Sequence, residues 1–86
     1  MKTIKYNDKT YTIPKPFDEC FFGREPTELH TVVNPYSNEK ATMPSFALAI
    51  YDTIKGAEHT QDYDLMQKGL DWFSRNFTKQ YMILLD

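Results

Sequence analysis

Tyr63-Asp64-Leu65-Met66-Gln67-Lys68-Gly69-Leu70-Asp71-Trp72-Phe73-Ser74-Arg75-Asn76-Phe77 is the stretch whose reading decides the fold. Tyr63, Met66, Leu70, Phe73 and Phe77 recur at steps of 3, 4, 3 and 4, the period of a helix that lays one face on a core. Thr60 or Asp62 is the expected N-cap. Asp62 and Asp64 put negative charge in the first turn, where the helix dipole favours it. Trp72 points about 100° off this ladder, which gives the helix a second apolar face. That face is for the N-terminal part of the chain or for another molecule.

Working outward, Phe46, Ile50, Ile54 and Ala57 form a second helical stripe, with Ala47 and Tyr51 beside it. Pro44 suits the first position of that helix, where its missing N–H is not needed. Gly56 weakens the last turn, and Glu58-His59-Thr60 reads as the break between the helices. After the ladder, Asn76 is expected to cap a short third helix holding Tyr81, Met82, Ile83, Leu84 and Leu85.

The first half has the other period. Ile4, Tyr6, Tyr11 and Ile13 share one face of a hairpin if the turn centres on Asp8-Lys9, with Tyr6 opposite Tyr11 and Ile4 opposite Ile13. Pro14 and Pro16 end the strand, because neither donates to a ladder. A second hairpin is expected between Leu29 and Thr42. His30-Thr31-Val32-Val33 is β-prone, 34–39 is turn chemistry, and Lys40-Ala41-Thr42 returns. The predicted fold is therefore α+β: one N-terminal hairpin, and a second short one, packed on two to three C-terminal helices in a single domain over 1–86. A chain of this size buries only about 60–65% of the surface its unfolded form exposes. Six Phe, six Tyr and one Trp compensate with large rings.

Composition excludes several classes. Net charge is −2; the first sixteen residues carry +3 and the rest −5. That polarity is too weak for a DNA-binding field, and a helix carrying Asp62, Asp64 and Asp71 against Lys68 and Arg75 is no recognition helix. Cys20 is the only cysteine, so an internal disulfide and a multi-cysteine zinc site are out. A reduced, cytoplasmic setting is expected. No apolar run is long enough to span a membrane, and residues 1–5 lack the apolar core of a signal peptide.

The candidate chemistry is sparse. Glu58, His59, Asp62 and Asp64 match no metal-loop spacing, so no metal or cofactor is expected. Cys20 with His30 or His59 has no accompanying oxyanion site or cleft, and the chain is expected not to be an enzyme. Aromatic residues offer more. Phe17, Phe21 and Phe22 either cover the open end of the core or form an exposed patch, the patch residues being Phe21 and Phe22. With Tyr36 and Trp72 they are the expected partner-binding residues, since surface rings anchor interfaces. A nucleic-acid accessory role would instead use Lys2, Lys5, Tyr6, Lys9 and Tyr11, although those lysines serve equally to discourage edge pairing of the strand. A third reading is an oligomeric small-ligand binder with a Tyr- and Trp-lined pocket between subunits.

Four stretches carry a resemblance: Asn34-Pro35-Tyr36-Ser37 with the later Pro44; Ile50-Tyr51-Asp52-Thr53-Ile54-Lys55-Gly56-Ala57-Glu58; Met66-Gln67-Lys68-Gly69-Leu70-Asp71-Trp72-Phe73; and Tyr81-Met82-Ile83-Leu84-Leu85-Asp86. In these the chain resembles a set of small uncharacterised proteins of tailed bacteriophages, over about 60% of its length. Asn38 stands where that pattern would have Gly. The resemblance implies a compact phage accessory protein acting in the host cytoplasm. It transfers no catalytic residue. The function expected is binding, with inhibition or modulation, of a host or phage protein.

Overall fold

Asn7 and Asp8 both have positive φ, 51° and 63°, and that pair sets the geometry of the first hairpin. A two-residue turn with both central residues left-handed matches the twist of the strands it joins, and Asn and Asp tolerate that region best after Gly. The structure, a computed structural model, describes residues 2–15, 17–19, 25 and 27–85. Strand β1 (Lys2–Tyr6) pairs antiparallel with β2 (Lys9–Ile13), with Tyr6 opposite Lys9 and Ile4 opposite Tyr11. This corrects the expected register, which placed the turn at Asp8-Lys9. The shift is an even number of places, so the faces survive: Ile4, Tyr11 and Ile13 are buried, and Tyr6 packs against them.

Phe17 follows in one turn of 3-10 helix, Phe17–Glu19, and is fully buried. The second hairpin joins β3 (Leu29–Val33) to β4 (Lys40–Pro44), with Thr31 opposite Thr42 and Val32 opposite Ala41. The two hairpins form separate two-stranded sheets. Three helices complete the α+β fold: α1 (Ser45–Thr60), α2 (Tyr63–Asn76) and α3 (Thr78–Leu84).

Helix boundaries depart from the sequence reading in three places. Pro44 ends β4 and caps α1 rather than occupying its first turn. The first N–H is satisfied by a carbonyl across the hairpin: Ser45 N donates to Glu28 O at 2.8 Å. Glu58-His59-Thr60 is not a break; α1 runs through it to a left-handed cap at Gln61 (φ 60°). There Asp62 N donates to Ala57 O at 2.9 Å, closing the carbonyl end in the manner of a Schellman motif. Asp62 then starts α2 as expected, its side chain accepting from Leu65 N at 3.2 Å. Asn76 does not cap α3. Phe77 stands there, and Asn76 Nδ2 donates to Trp72 O instead.

The ladder on α2 is only partly a core stripe. Phe73 and Phe77 are buried, Met66 and Leu70 are half-buried, and Tyr63 is 61% exposed. The buried face is rotated toward Gly69, Trp72 and Phe73. Gly69 explains the rotation. A Cβ there would stand 2.5 Å from Ile54 Cγ1 and 3.3 Å from Phe17 Cζ. Without one, α1 approaches α2 along that line. Phe46, on the first turn of α1, is the hub of the aromatic core. Its ring lies 5.3–6.3 Å from those of Tyr6, Tyr11, Phe77 and Trp72. Such pairs contribute about 0.5–1.5 kcal/mol each beyond area burial.

Candidate functional site

Of the four residues expected to form a partner patch, Trp72 and Tyr36 fall among the described residues. Trp72 is 8% exposed, so it is no surface anchor. Its indole Nε1–H donates to Thr12 O at 2.7 Å, docking the free edge of β2 onto α2. The second apolar face of α2 is thus covered by the first hairpin, one of the two coverings that the off-ladder position allowed. Phe21, Phe22 and Cys20 lie outside the described residues. Tyr36 is 97% exposed.

The basic hairpin loses its stacking rings in the same way. Tyr11 is buried, stacked on Phe77 at 5.2 Å, and Tyr6 meets Phe46 edge-on at 5.9 Å. Lys9 Nζ sits 5.2 Å over the Tyr11 ring. Lys2, Lys5 and Lys9 therefore border a closed surface rather than an aromatic platform.

His30 engages a different partner from the one considered. Its Nε2 lies 2.7 Å from the buried Ser45 Oγ, and the Glu28 carboxylate approaches the same nitrogen at 3.7 Å. A hydroxyl-imidazole-carboxylate relay needs the acid on the opposite ring nitrogen. This cluster instead ties the β3–β4 hairpin to the start of α1, with Ser45 Oγ also 3.2 Å from Glu28 O. Among the described residues, no three of His, Cys, Asp and Glu stand close enough to share a metal ion.

Tyr36 belongs to a site that sequence alone did not delineate. It edges an open groove of about 580 Å³ between the β3–β4 turn, the second half of α1, the exposed side of α2 and the end of α3. The floor is apolar: Ile54, Met66, Leu70, Leu84 and Leu85. The rim carries Tyr36, Tyr51, Lys55 and Glu58. This volume lies within the usual range of about 300–1,000 Å³ for ligand sites.

One residue positions the turn. Asn34 Nδ2 donates to Ile83 O at 2.8 Å, fastening the loop to α3 across 49 residues of sequence. Its Oδ1 accepts from Tyr36 N at 2.9 Å, and its backbone exchanges with Glu39 and Asn38. Asn38 takes the left-handed conformation (φ 61°) that closes the turn, the position where Gly would be the easier residue. The Tyr36 ring is thus held outward on a fixed backbone.

The opposite wall has its own electrostatics. Burial raises the Tyr51 phenol above the usual 10.0, with Asp52 and Glu58 adding to the effect. Lys55 Nζ lies 5.8 Å over the Tyr51 ring and 3.8 Å from the Glu58 carboxylate. Both partners of that ion pair are largely exposed, so it contributes little stability and is free to rearrange when something enters the groove. Met66 in the floor is likewise adaptable. The groove offers an apolar bed, two phenols, one cation and one anion.

Comparison with protein-family models, with curated proteins and with solved structures finds no match to this chain. Among the described residues, no helix is long and apolar enough to cross a membrane. The groove was hidden because its walls come from four separate segments. Tyr51 was visible only as a neighbour of the α1 stripe, and Met66 and Leu70 only as part of the α2 ladder. Nothing in the sequence shows that the β3–β4 turn lies beside them.

Proposed function

We propose that this chain is a non-catalytic, phage-type accessory protein that seats part of a host or phage protein in the groove edged by Tyr36, and thereby blocks or modulates that protein. The observation that carries the reading is the groove itself: a concave surface that mixes half-buried apolar side chains (Met66, Leu70 and Leu85) with polar groups, and the almost fully exposed Tyr36 ring at its lip. Concave sites of this size that combine apolar side chains with a few polar groups are the usual form of a binding site, and Tyr is enriched among the residues that dominate binding energy. All eleven residues lining the groove fall in the four stretches that carry the phage resemblance. The partner contributes an apolar side chain to the floor and polar groups to the Lys55–Glu58 rim, in the cytoplasm of the host.

The nucleic-acid reading is the weaker one, because Tyr6 and Tyr11 stack on the protein's own core. The test is affinity capture from bacterial lysate with mass spectrometry, run in parallel with the wild type, Tyr36→Ala and Lys55→Ala. Both positions are exposed, so the fold should tolerate either change. The reading expects at least one captured protein to be weakened about fivefold or more by Tyr36→Ala, the level of an interface anchor. If every captured protein binds the groove variants as well as the wild type, the reading fails.

A further inference from the structure

The two hairpins leave four strand edges, and the molecule treats three of them differently from the fourth. In β1–β2 the pairs flanking the two-residue turn are hydrogen-bonded, so Thr3, Lys5, Thr10 and Thr12 turn their backbone groups outward. At the β2 edge, Trp72 covers Thr12 O. The β1 edge carries Lys2 and Lys5, a common protection against edge pairing. At the β4 edge, Gln80 Nε2 covers Thr42 O at 3.0 Å.

Among the described residues, edge β3 has none of these devices. Asn34 N bonds Glu39 O, and Ser45 N bonds Glu28 O. These mark the even positions of β3 as bonded to β4 and turn the N–H and C=O groups of Leu29, Thr31 and Val33 outward. The strand has no strand partner on that side among the described residues. It contains no Lys, Arg, Asp, Glu or Pro, and its register with β4 has no bulge. The side chains of the same residues are open too: Leu29 is 58% and Val33 45% exposed.

We infer that β3 pairs antiparallel with β3 of a second copy of this chain, about a two-fold axis through Thr31. The sequence Leu29-His30-Thr31-Val32-Val33 is self-complementary in that register. Thr31 meets Thr31, Leu29 meets Val33, and His30 meets Val32. The flanking Glu28 meets Asn34, so no like charges are opposed. Each outward-facing pair exchanges both backbone bonds, and the apolar Leu29–Val33 pairs lie on the exposed face. The same operation on β1, about Ile4, would set Lys5 against Thr3 and Lys2 against Tyr6 and so gather four lysines along one seam, whereas the β3 seam holds none. The product is a continuous four-stranded sheet with isologous symmetry. Its contact area is small, which places the dimer among weak, transient ones, with a Kd between about 1 µM and 1 mM. It shares only Asn34 with the groove and none of the residues varied in the test of the groove, so the two proposals stand or fall separately.

The test is sedimentation equilibrium from about 10 µM to 1 mM, in a Cys20→Ser background that excludes disulfide-linked dimers. The expected mass rises from 10.2 kDa toward twice that value. Leu29→Glu with Val33→Glu places Glu opposite Glu across the axis and should hold the chain monomeric. Within each copy the Val33→Glu side chain faces Lys40, so the hairpin is not penalised. Leu29→Lys with Val33→Glu places opposite charges across the axis and should restore the dimer. Thr31→Cys in the same background should form a symmetric disulfide on mild oxidation. Circular dichroism checks that each variant keeps its fold. A monomer at 1 mM, or a dimer indifferent to the charge reversal, overturns the inference.

Discussion

Gly56 and Gly69 are both helical glycines, and the structure assigns them opposite responses to alanine. Around Gly56 no atom would lie within 4 Å of an added Cβ. Gly56→Ala therefore gains helix propensity alone, and should stabilise the chain by about 0.5–1 kcal/mol. At Gly69 the same gain of about 1 kcal/mol meets a clash. The added Cβ stands 2.5 Å from Ile54 Cγ1 and 3.1 Å from its Cδ1. Cγ1 is bonded directly to the Ile54 Cβ, and the residue is almost wholly buried, so the contact cannot be relieved by swinging a chain end. Overpacking of this kind costs about 1–3 kcal/mol, and the upper half of that range applies. The net effect is destabilisation by about 1–2 kcal/mol, combining those two terms. For a domain of this size that lowers the melting temperature by roughly 4–15 °C.

Urea denaturation followed by circular dichroism and Trp72 fluorescence measures both variants. A double variant localises the cause. Ile54→Ala removes the offending atoms, and although it costs about 2–5 kcal/mol alone, Gly69→Ala should add no further loss in its presence. The coupling energy should reach about 1–2 kcal/mol, within the range seen for residues in contact. If Gly69→Ala stabilises as much as Gly56→Ala, the packing of α1 on α2 described above is wrong.

Three further outcomes follow from the same structure. Trp72→Phe removes the donor to Thr12 O and should cost about 1–3 kcal/mol in urea midpoints from the lost bond and area; hydrogen exchange should show the loosening in β1–β2 first. Asn34→Ala removes both side-chain bonds that fix the β3–β4 turn and should cost about 1–3 kcal/mol, with faster exchange at Tyr36 N–H; exchange unchanged there would contradict the anchoring role of Asn34. Tyr51 has a folded-state pKa above its unfolded value of 10.0, so the folded chain retains its proton longer. Stability from that difference is present below pH 10 and lost as pH rises toward the raised value; Tyr51→Phe should flatten that alkaline decline, and an unchanged slope would refute the assignment.

Much of the architecture was legible because it follows from periodicity. A period of two placed Ile4, Tyr11 and Ile13 on one face, and a period near 3.6 placed Phe46, Ile50 and Ile54 on another. What periodicity does not carry is position along or between elements. The first register differs because pairing Tyr6 with Tyr11 fits the hydrophobic pattern equally well, and what decides against it is that Asn7 and Asp8 both adopt the left-handed region. The core face of α2 was missed because hydrophobicity gives Gly69 no weight, although its lack of a side chain is what brings Ile54 close. The end of α1 was missed because its last turn is polar but closed by backbone bonds. The groove was least legible. The β3–β4 turn is joined to its other walls by the bond from Asn34 to Ile83, a contact that no local pattern encodes, and Tyr36 alone could be singled out beforehand. Trp72 illustrates the converse: the sequence showed that it left the ladder, and only the bond to Thr12 showed where it went.

The central claim is that the groove beneath Tyr36 is the working surface. Chemical-shift mapping tests it most directly, with the isotope-labelled chain titrated with the protein it captures. The account predicts perturbations concentrated in residues 34–36, 51–58, 66–70 and 84–85, and loss of those changes in Tyr36→Ala. Perturbations confined to the β1–β2 hairpin, with the groove silent, would contradict it.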